Sequence, residues 1–164
     1  ILEGAHRPGY FAGGSTVVKR LFDVVQPSIA LFGEKDFQQL MVSKQLIEKY
    51  SVDIKIIGMP TFREPDGLAM SSRNLRLSSD EQVKAPEIYR QLESVKAALD
   101  MGAMDFSNLE AKACEHLASA GFIPEYVVIR EISTLLPPKN HSDSMVILAA
   151  AKLGEIRLID NLRV

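Results

Sequence analysis

Residues 28–59, SIALFGEKDFQQLMVSKQLIEKYSVDIKIIGM, place two short apolar runs on either side of a segment with helical spacing. The runs SIALFG and DIKIIGM are typical of strands in a parallel sheet covered on both faces, and DFQQLMVSKQLIEKY predicts the connecting helix. A further helix is predicted upstream, from Ser15 as N-cap to Gln26, ahead of Pro27. The order α, β, α, β favours an α/β fold, part of a doubly wound parallel sheet. Two strands are fewer than the roughly five or six of a typical sheet, so we expect the missing strands upstream.

The first residues, EGAHRPGYFAGGSTVV, contain four glycines and a proline, and they predict a loop ahead of the helix. His6, Arg7 and Tyr10 lie in this loop. It is interpreted either as a mobile lid or as ordinary turn residues that lead into a helix.

The character of the sequence changes after Pro60, where TFREPDGLAMSSRNLRLSS is polar and carries a Pro-Asp-Gly turn. We interpret it as an exposed linker loop. Ser78 with Glu81 predicts a capping box ahead of a helix that runs to about Leu99, and Ser107 with Glu110 predicts a second box. The runs EYVVIR, SMVILAAAKL and EIRLIDN are strand-like, the last two joined as a hairpin around Gly154. The sequence therefore predicts two domains: residues 1–61, part of a doubly wound α/β domain, and residues 62–164, a small α+β domain.

The amino-acid composition limits the kinds of binding partner that we expect. The 164 residues carry 19 Lys and Arg against 21 Asp and Glu, a net charge of −2, with no long run of either sign. This balance argues against a nucleic-acid surface or a polybasic membrane patch, and no apolar run reaches the ~18 residues of a membrane span. We expect a small molecule or another protein as partner. The single cysteine, Cys114, lies on an apolar helical stripe and is interpreted as an inert core thiol in a reducing compartment.

The stretch LFGEKD stands where a strand turns into a helix, which is where α/β proteins bind ligands. Gly33 would permit the turn, and the first N–H groups of the next helix favour an anion. Lys35 adds a positive charge, and Asp36 can cap the helix or accept ribose hydroxyls. Gln39 lies one turn beyond Asp36 on the same helix face. The alternative is that Asp36 is only an N-cap and Lys35 only a solvated charge.

The loop DGLAMSSRN places Ser71, Ser72 and Arg73 in succession. Two hydroxyls and a guanidinium on a flexible segment suit phosphate oxygens, because the loop can close after a nucleotide binds. The alternative is a polar linker whose Arg73 pairs with a surface carboxylate. Because the loop follows directly after the second strand, we expect Lys35 and Ser71–Arg73 to face one crevice.

The sequence lacks the motifs that mark several other kinds of functional site. His6, His116 and His141 have no metal-ligand spacing with acidic or thiol residues, so no protein-built metal site is predicted. The sequence contains no Gly-x-Ser-x-Gly elbow, full P-loop or GxGxxG fingerprint.

Several motifs, in order, resemble one family: EGxxRPGxFxG, TVVxxLF, FGEKDFQQL, PTFREPDGLAMSSRNxRLS and LIDN are similar to those of pantothenate synthetase. The resemblance covers essentially all 164 residues. It implies a nucleotidyltransferase-type Rossmann domain followed by a small α+β domain. It also implies condensation of pantoate with β-alanine using ATP and Mg²⁺, through a pantoyl-adenylate and with release of pyrophosphate, in a cytoplasmic homodimer. The Mg²⁺ would be held mainly by the nucleotide phosphates.

The resemblance also implies roles for individual residues. Lys35 would meet the phosphates and Asp36 the ribose side, and Gln39 would bind pantoate. The segment from Met70 to Arg73 would correspond to the mobile KMSKS loop of class I aminoacyl-tRNA synthetases. The residues that would form the ATP site are Gly33, Glu34, Lys35, Asp36, Phe62 (through its backbone), Met70, Ser71, Ser72 and Arg73, of which Lys35, Ser71, Ser72 and Arg73 would be catalytic.

Three departures from the family pattern bear on function. Tyr10 stands where the family usually has His, and Gly14 where it usually has Val. The family's HxGH segment is absent from the sequence, which therefore looks like a C-terminal portion of the enzyme, and we expect it to be inactive alone. Two alternatives stay open: a non-catalytic fragment that only binds nucleotide or dimerises, and another nucleotidyltransferase that stops at an adenylated product.

Overall fold

The chain forms two units, Ile1–Thr61 and Phe62–Val164, in a computed structural model that describes residues 2–6, 9–139 and 144–164. Arg7 of the predicted first loop and His141 lie outside the described residues.

The first unit has a β-α-β arrangement, which confirms the interpretation of residues 28–59. Strand β1 (Ile29–Gly33) pairs in parallel with β2 (Lys55–Met59), with Gly33 opposite Met59. A 3₁₀ turn (Glu34–Asp36) and helix α3 (Phe37–Lys49) connect them. Helices α1 (Glu3–His6) and α2 (Tyr10–Val25) precede the first strand.

The predicted start of α2 at Ser15 is wrong, because the helix begins five residues earlier at Tyr10. Gly9, at φ +78°, makes the bend that precedes the helix, a conformation that glycine adopts without strain. The interpretation of residues 3–14 as a loop is therefore also wrong for Glu3–His6 and for the first turns of α2. Gly13 and Gly14 weaken the local helical signal, but the helix continues through both.

The described residues do not cover the sheet on both faces, in keeping with the expectation that strands of the complete sheet are missing here. Ile29 and Leu31 of β1 are 53% and 63% exposed, and side chains of α2 such as Val24, at 72%, are also exposed. The buried apolar side chains of this unit are few: Phe22, Phe37, Leu40 and Ile54. Apolar side chains of β1 and α2 are therefore not covered by the described residues.

The second unit is a three-stranded antiparallel sheet packed against helices. Its elements in chain order are α4 (Ser79–Lys84), α5 (Glu87–Asp100), α6 (Phe106–Ser119), β3 (Phe122–Glu131), β4 (Met145–Leu153) and β5 (Ile156–Arg163). The strand order is β3-β4-β5, and Gly154 at φ +55° forms the β4-β5 hairpin as predicted. Nearly all of β4 is buried, and it lies at the centre of this core.

Two helix predictions in this unit need correction. The Ser78–Glu81 capping box is present, but the helix stops at Lys84 and resumes at Glu87, because Pro86 cannot donate a hydrogen bond in a continuous helix. The second predicted box is wrong, since Asp105 caps α6 by accepting from the Asn108 N–H at 3.1 Å. The Glu110 carboxylate instead accepts from the Ile129 N–H at 2.7 Å and so joins α6 to β3.

The segment interpreted as an exposed linker is largely structured. Leu68 and Leu77 are 6% and 5% exposed and belong to the core of the second unit, and Ala69 is buried as well. Only part of the segment therefore presents its side chains to water.

Candidate functional site

The carboxyl end of β1, at Gly33, has free space around its last residue. The φ of this residue, −68°, is one that any residue adopts, so the turn does not use the conformational freedom of glycine. A Cβ at this position would have no heavy atom of the described residues within 4 Å. The absent side chain therefore leaves room for a ligand to approach the backbone at the carboxyl end of a parallel strand, where α/β folds bind their ligands.

Lys35 and Asp36 follow in the 3₁₀ turn between this strand end and α3. Lys35 is half-buried and Asp36 is exposed. Asp36 occupies the N-cap position of α3, but its carboxylate makes no capping hydrogen bond among the described residues. The alternative that Asp36 serves only as an N-cap therefore has no support, and its oxygens are available for another group.

The Glu34 side chain lies against Gly58 of the neighbouring strand, β2. A Cβ at Gly58 of β2 would lie 2.8 Å from Glu34 Oε1 and 3.0 Å from Leu40 Cδ2. Gly58 therefore provides the space in which the Glu34 side chain packs. The sequence analysis missed Gly58, and its only signal was a glycine inside an apolar strand.

The two adjacent glutamines at the start of α3 have different environments. Gln38 is 8% exposed, and its Oε1 accepts from the Glu3 N–H at 2.8 Å, which ties α1 to α3. Gln39 is half-buried beside α2, and a Cβ at Gly14 would lie 3.1 Å from its Oε1. The departure at Gly14 thus concerns the space next to the predicted pantoate-binding glutamine.

In the second unit, Phe62 and Met70 stand at the open end of a small hairpin. The Met70 N–H donates to the Phe62 carbonyl at 2.9 Å, and Arg63 and Ala69 form a bridge next to them. A turn through Gly67, at φ +96°, closes the other end. The Phe62 and Met70 side chains are 79% and 46% exposed. The hairpin therefore presents both residues to solvent beside the predicted mobile segment.

Ser71, Ser72 and Arg73 come directly after this hairpin. Ser71 precedes a 3₁₀ turn (Ser72–Arg76), and its hydroxyl accepts from the Arg73 N–H at 3.3 Å. Within the part of the chain that the structure describes, the exposed Arg73 side chain has no ion pair. The alternative in which Arg73 pairs with a surface carboxylate therefore finds no support.

The structure thus groups the predicted residues by unit. It brings Gly33, Glu34, Lys35 and Asp36 together at the end of β1, with Gln39 one turn along α3. It brings Phe62 and Met70–Arg73 together at the open end of the hairpin.

Cys114 lies on α6, packed against the core of the second unit. Burial raises the pKa of its thiol above the ordinary value, with a smaller contribution from the Glu110 charge, so the reactive thiolate is disfavoured. This environment supports the interpretation of Cys114 as an inert thiol.

Residues 2–6, 9–139 and 144–164 contain no helix whose length and apolar character would let it span a membrane. No group of three or more His, Cys, Asp or Glu side chains there could hold a metal ion.

Comparison with solved structures defines the class of fold. The crystal structure of pantothenate synthetase from Thermus thermophilus matches with a TM-score of 0.94 and 40% identity, covering 99% of this chain and 59% of that one. The pantoate-beta-alanine ligase from Francisella tularensis, complexed with beta-gamma ATP and beta-alanine, matches with a TM-score of 0.77 and 37% identity, covering 99% of this chain and 54% of that one. The chain has the nucleotidyltransferase-type α/β fold of these proteins, with a small antiparallel sheet.

Sequence comparison identifies the family. The family model described as pantoate-beta-alanine ligase matches residues 1–163, and the chain belongs to this family. Pantothenate synthetases from Thiobacillus denitrificans and Idiomarina loihiensis are 47% and 49% identical to it over 163 and 164 residues, which are 99% and 100% of this chain. The chain spans 58% of the length of each of these two relatives.

Proposed function

We propose that this chain is part of an ATP-dependent ligase that joins pantoate to β-alanine. Membership of the family, relatives that are pantothenate synthetases and a solved neighbour that holds ATP and β-alanine support this assignment. The observation that carries it is the open end of β1, where Gly33 leaves space and Asp36 is not used to cap its helix. The homodimer and the cytoplasmic location implied by the resemblance stay predictions.

The proposed reaction has two steps. A carboxylate oxygen of pantoate attacks the α-phosphorus of ATP, the bond from that phosphorus to the bridging oxygen breaks, and pyrophosphate leaves. The amine of β-alanine then attacks the acyl carbon of the pantoyl-adenylate, loses a proton and expels AMP. Negative charge accumulates at the α-phosphate and the pyrophosphate in the first step, so positively charged donors fixed in place would stabilise its transition state.

In the first unit, Lys35 would contact the phosphates and Asp36 the ribose, with Gly33 and Glu34 forming the floor of the site. The residues present fit a nucleotide, since the strand end is open and the first turn of α3 favours an anion. Mg²⁺ would be held mainly by the phosphate oxygens, as is common for this ion, and neutralises phosphate charge when bound. Gln39 would bind pantoate.

In the second unit, Ser71, Ser72 and Arg73 would contact the phosphates and close over them. The exposure of Ser72 and Arg73 at the end of a hairpin supports this role, because these side chains can reach a ligand without breaking core contacts. The Phe62 backbone and Met70 would lie against the adenine. That Lys35 and the segment Ser71–Arg73 serve the same nucleotide is part of the proposal.

We expect these 164 residues alone to make no pantothenate. Adenylation needs charge stabilisation on both sides of the triphosphate, and the chain offers Lys35 and Ser71–Arg73 for one side, while it spans 58% of its relatives' length. The test is to supply ATP, Mg²⁺, pantoate and β-alanine to the purified chain, alone and with a separately expressed amino-terminal segment of a relative. Turnover by the chain alone, above that of an identically prepared Lys35→Ala control, would contradict this expectation.

The same assay separates the alternatives. The ligase predicts pyrophosphate release that requires pantoate, and pantothenate only when β-alanine is added. Adenylate formation that never proceeds to pantothenate would indicate a nucleotidyltransferase that stops at the adenylate. Nucleotide binding without pyrophosphate release, even with the added segment, would indicate a non-catalytic fragment.

A further inference from the structure

Arg63 is the centre of a buried polar cluster in the second unit. Its guanidinium donates to both carboxylate oxygens of Asp160 on β5, at 2.6 and 3.0 Å. It also donates to the Asn161 carbonyl at 3.2 Å and to the Gly67 carbonyl at 3.0 Å. The Asp160 side chain is fully buried and that of Arg63 is 17% exposed. A two-pronged, charge-assisted contact of this kind fixes the orientation of both groups.

Tyr89 of α5 closes the cluster on its other face. The Arg63 guanidinium carbon lies 3.7 Å from the centre of the Tyr89 ring, within the range of a cation–π contact. The ring also abuts the hairpin turn, because a Cβ at Gly67 would lie 2.6 Å from its Cδ1. The hairpin of residues 62–70 is therefore held between α5 and β5.

The candidate phosphate-binding segment begins where this hairpin ends. The Met70 N–H bonds to the Phe62 carbonyl, next to Arg63, and the Asn74 side-chain amide donates to the Ala69 carbonyl at 3.0 Å. The segment Ser71–Arg73 is thus tethered on both sides to the same hairpin. Only these three residues lie between the two tethers.

A buried ion pair is by itself weak evidence of a special role, since such pairs contribute little net stability. The second unit contains two comparable pairs, Arg130–Glu110 and Arg157–Glu125, at 2.9 and 2.8 Å. Those pairs join regular elements, α6 to β3 and β3 to β5. The Arg63–Asp160 pair instead joins a strand of the core to the base of the candidate site.

We propose that Arg63, held by Asp160 and Tyr89, is a positioning residue that fixes the base of the Ser71–Arg73 segment for nucleotide binding. This inference rests on the proposed function. The cluster limits motion to the three residues that contact phosphate. The segment therefore loses less conformational entropy when ATP binds. It also gives a physical role to the LIDN sequence near the end of the chain, where Asp160 is 97 residues from Arg63.

The test compares Arg63→Lys with Arg130→Lys. Each variant keeps the positive charge and loses the guanidinium at an arginine whose side chain is 17% exposed, so both should lower the unfolding temperature. Hydrogen exchange of the 164-residue chain is measured well below that temperature. We expect exchange at residues 62–74 to rise at least tenfold in Arg63→Lys and to stay unchanged there in Arg130→Lys.

The second readout is steady-state kinetics of the complete enzyme that contains this chain. We expect Arg63→Lys to raise KM for ATP at least tenfold and to leave KM for pantoate within about twofold, whereas Arg130→Lys changes neither. Equal behaviour of the two variants in exchange and in KM would overturn the inference. If ATP failed to slow exchange at residues 70–74 of the complete wild-type enzyme, the nucleotide role would fall with the proposed function. In that case the exchange comparison would still decide whether Arg63 tethers the segment.

Discussion

Gly67 offers a quantitative test of how the hairpin is packed. It has a φ of +96°, and a Cβ there would lie 2.6 Å from Tyr89 Cδ1. Gly102, after α5, has a similar φ of +86°, but its Cβ would have no heavy atom of the described residues within 4 Å. Substituting each glycine by alanine therefore separates backbone strain from steric overlap.

The expected magnitudes follow from these two environments. Gly102→Ala should cost only the strain of a side chain at positive φ, about 1–2 kcal/mol. Gly67→Ala should cost the same strain and, in addition, about 1–3 kcal/mol for overpacking against the Tyr89 ring. The free energy of unfolding should thus fall by about 1–3 kcal/mol more in Gly67→Ala than in Gly102→Ala.

The assay is urea denaturation of the second unit, followed by far-ultraviolet circular dichroism, for the wild type and both variants. Tyr89→Leu provides the coupled control, because it removes the ring that the new methyl group meets. Adding Gly67→Ala to that variant should lower the free energy of unfolding by less than adding it to the wild type. Equal losses at Gly67 and Gly102 would refute the packing of the hairpin against Tyr89.

Three further predictions concern side chains whose environments the structure defines. Gln38→Ala should lower the free energy of unfolding by about 1–3 kcal/mol in urea denaturation, because it removes the acceptor of the buried Glu3 N–H, whereas Gln39→Ala should spare stability and raise KM for pantoate in the complete enzyme. The hydrogen bonds from Ser78 lower the pKa of Glu81, so its contribution to stability is present above its ordinary pKa of 4.5 and is lost as the pH falls through the folded value; acid titration of Glu81→Gln should lack this step. Burial raises the pKa of Cys114 above its ordinary value of 9.0, so iodoacetamide should label it more slowly than a model thiol at about pH 8, and its contribution to stability should be lost only as the pH rises through the folded value.

Local signals were sufficient for much of the fold. The β-α-β unit and the β4-β5 hairpin followed from apolar runs of strand length, helical spacing and a glycine at the turn. The Ser78–Glu81 capping box was recognised because all its partners lie within four residues. The break at Pro86 also has a local signal, a proline within a helical pattern, which is inconsistent with one continuous helix to Leu99.

Long-range contacts explain the errors. Asp105 and Ser107 are both acceptable N-caps by residue type, and the choice depends on Glu110 reaching β3, which no local pattern reveals. The linker interpretation failed because the burial of Leu68 and Leu77 depends on a core assembled from distant strands. A polar composition over a short window could not predict it.

The candidate site also contains residues with a local signal in the sequence and residues whose role depends on long-range contacts. The strand end at Gly33 and the Ser-Ser-Arg segment could be predicted as candidates because glycine, charge and hydroxyl groups are visible in the sequence. The residues that support them were missed: Gly58 under Glu34 and Tyr89 over Arg63. Their roles depend on pairs of elements that meet only in the folded chain.

The central claim is that Lys35 serves the adenylation step of a pantoate-activating enzyme. The most direct measurement is ATP–pyrophosphate exchange by the complete enzyme without β-alanine, for the wild type and for Lys35→Ala. We predict that exchange requires pantoate and that Lys35→Ala lowers kcat/KM by ~10² to 10³, the scale for loss of one fixed donor to developing charge. Exchange that proceeds without pantoate, or at equal rates in the two proteins, would contradict the account.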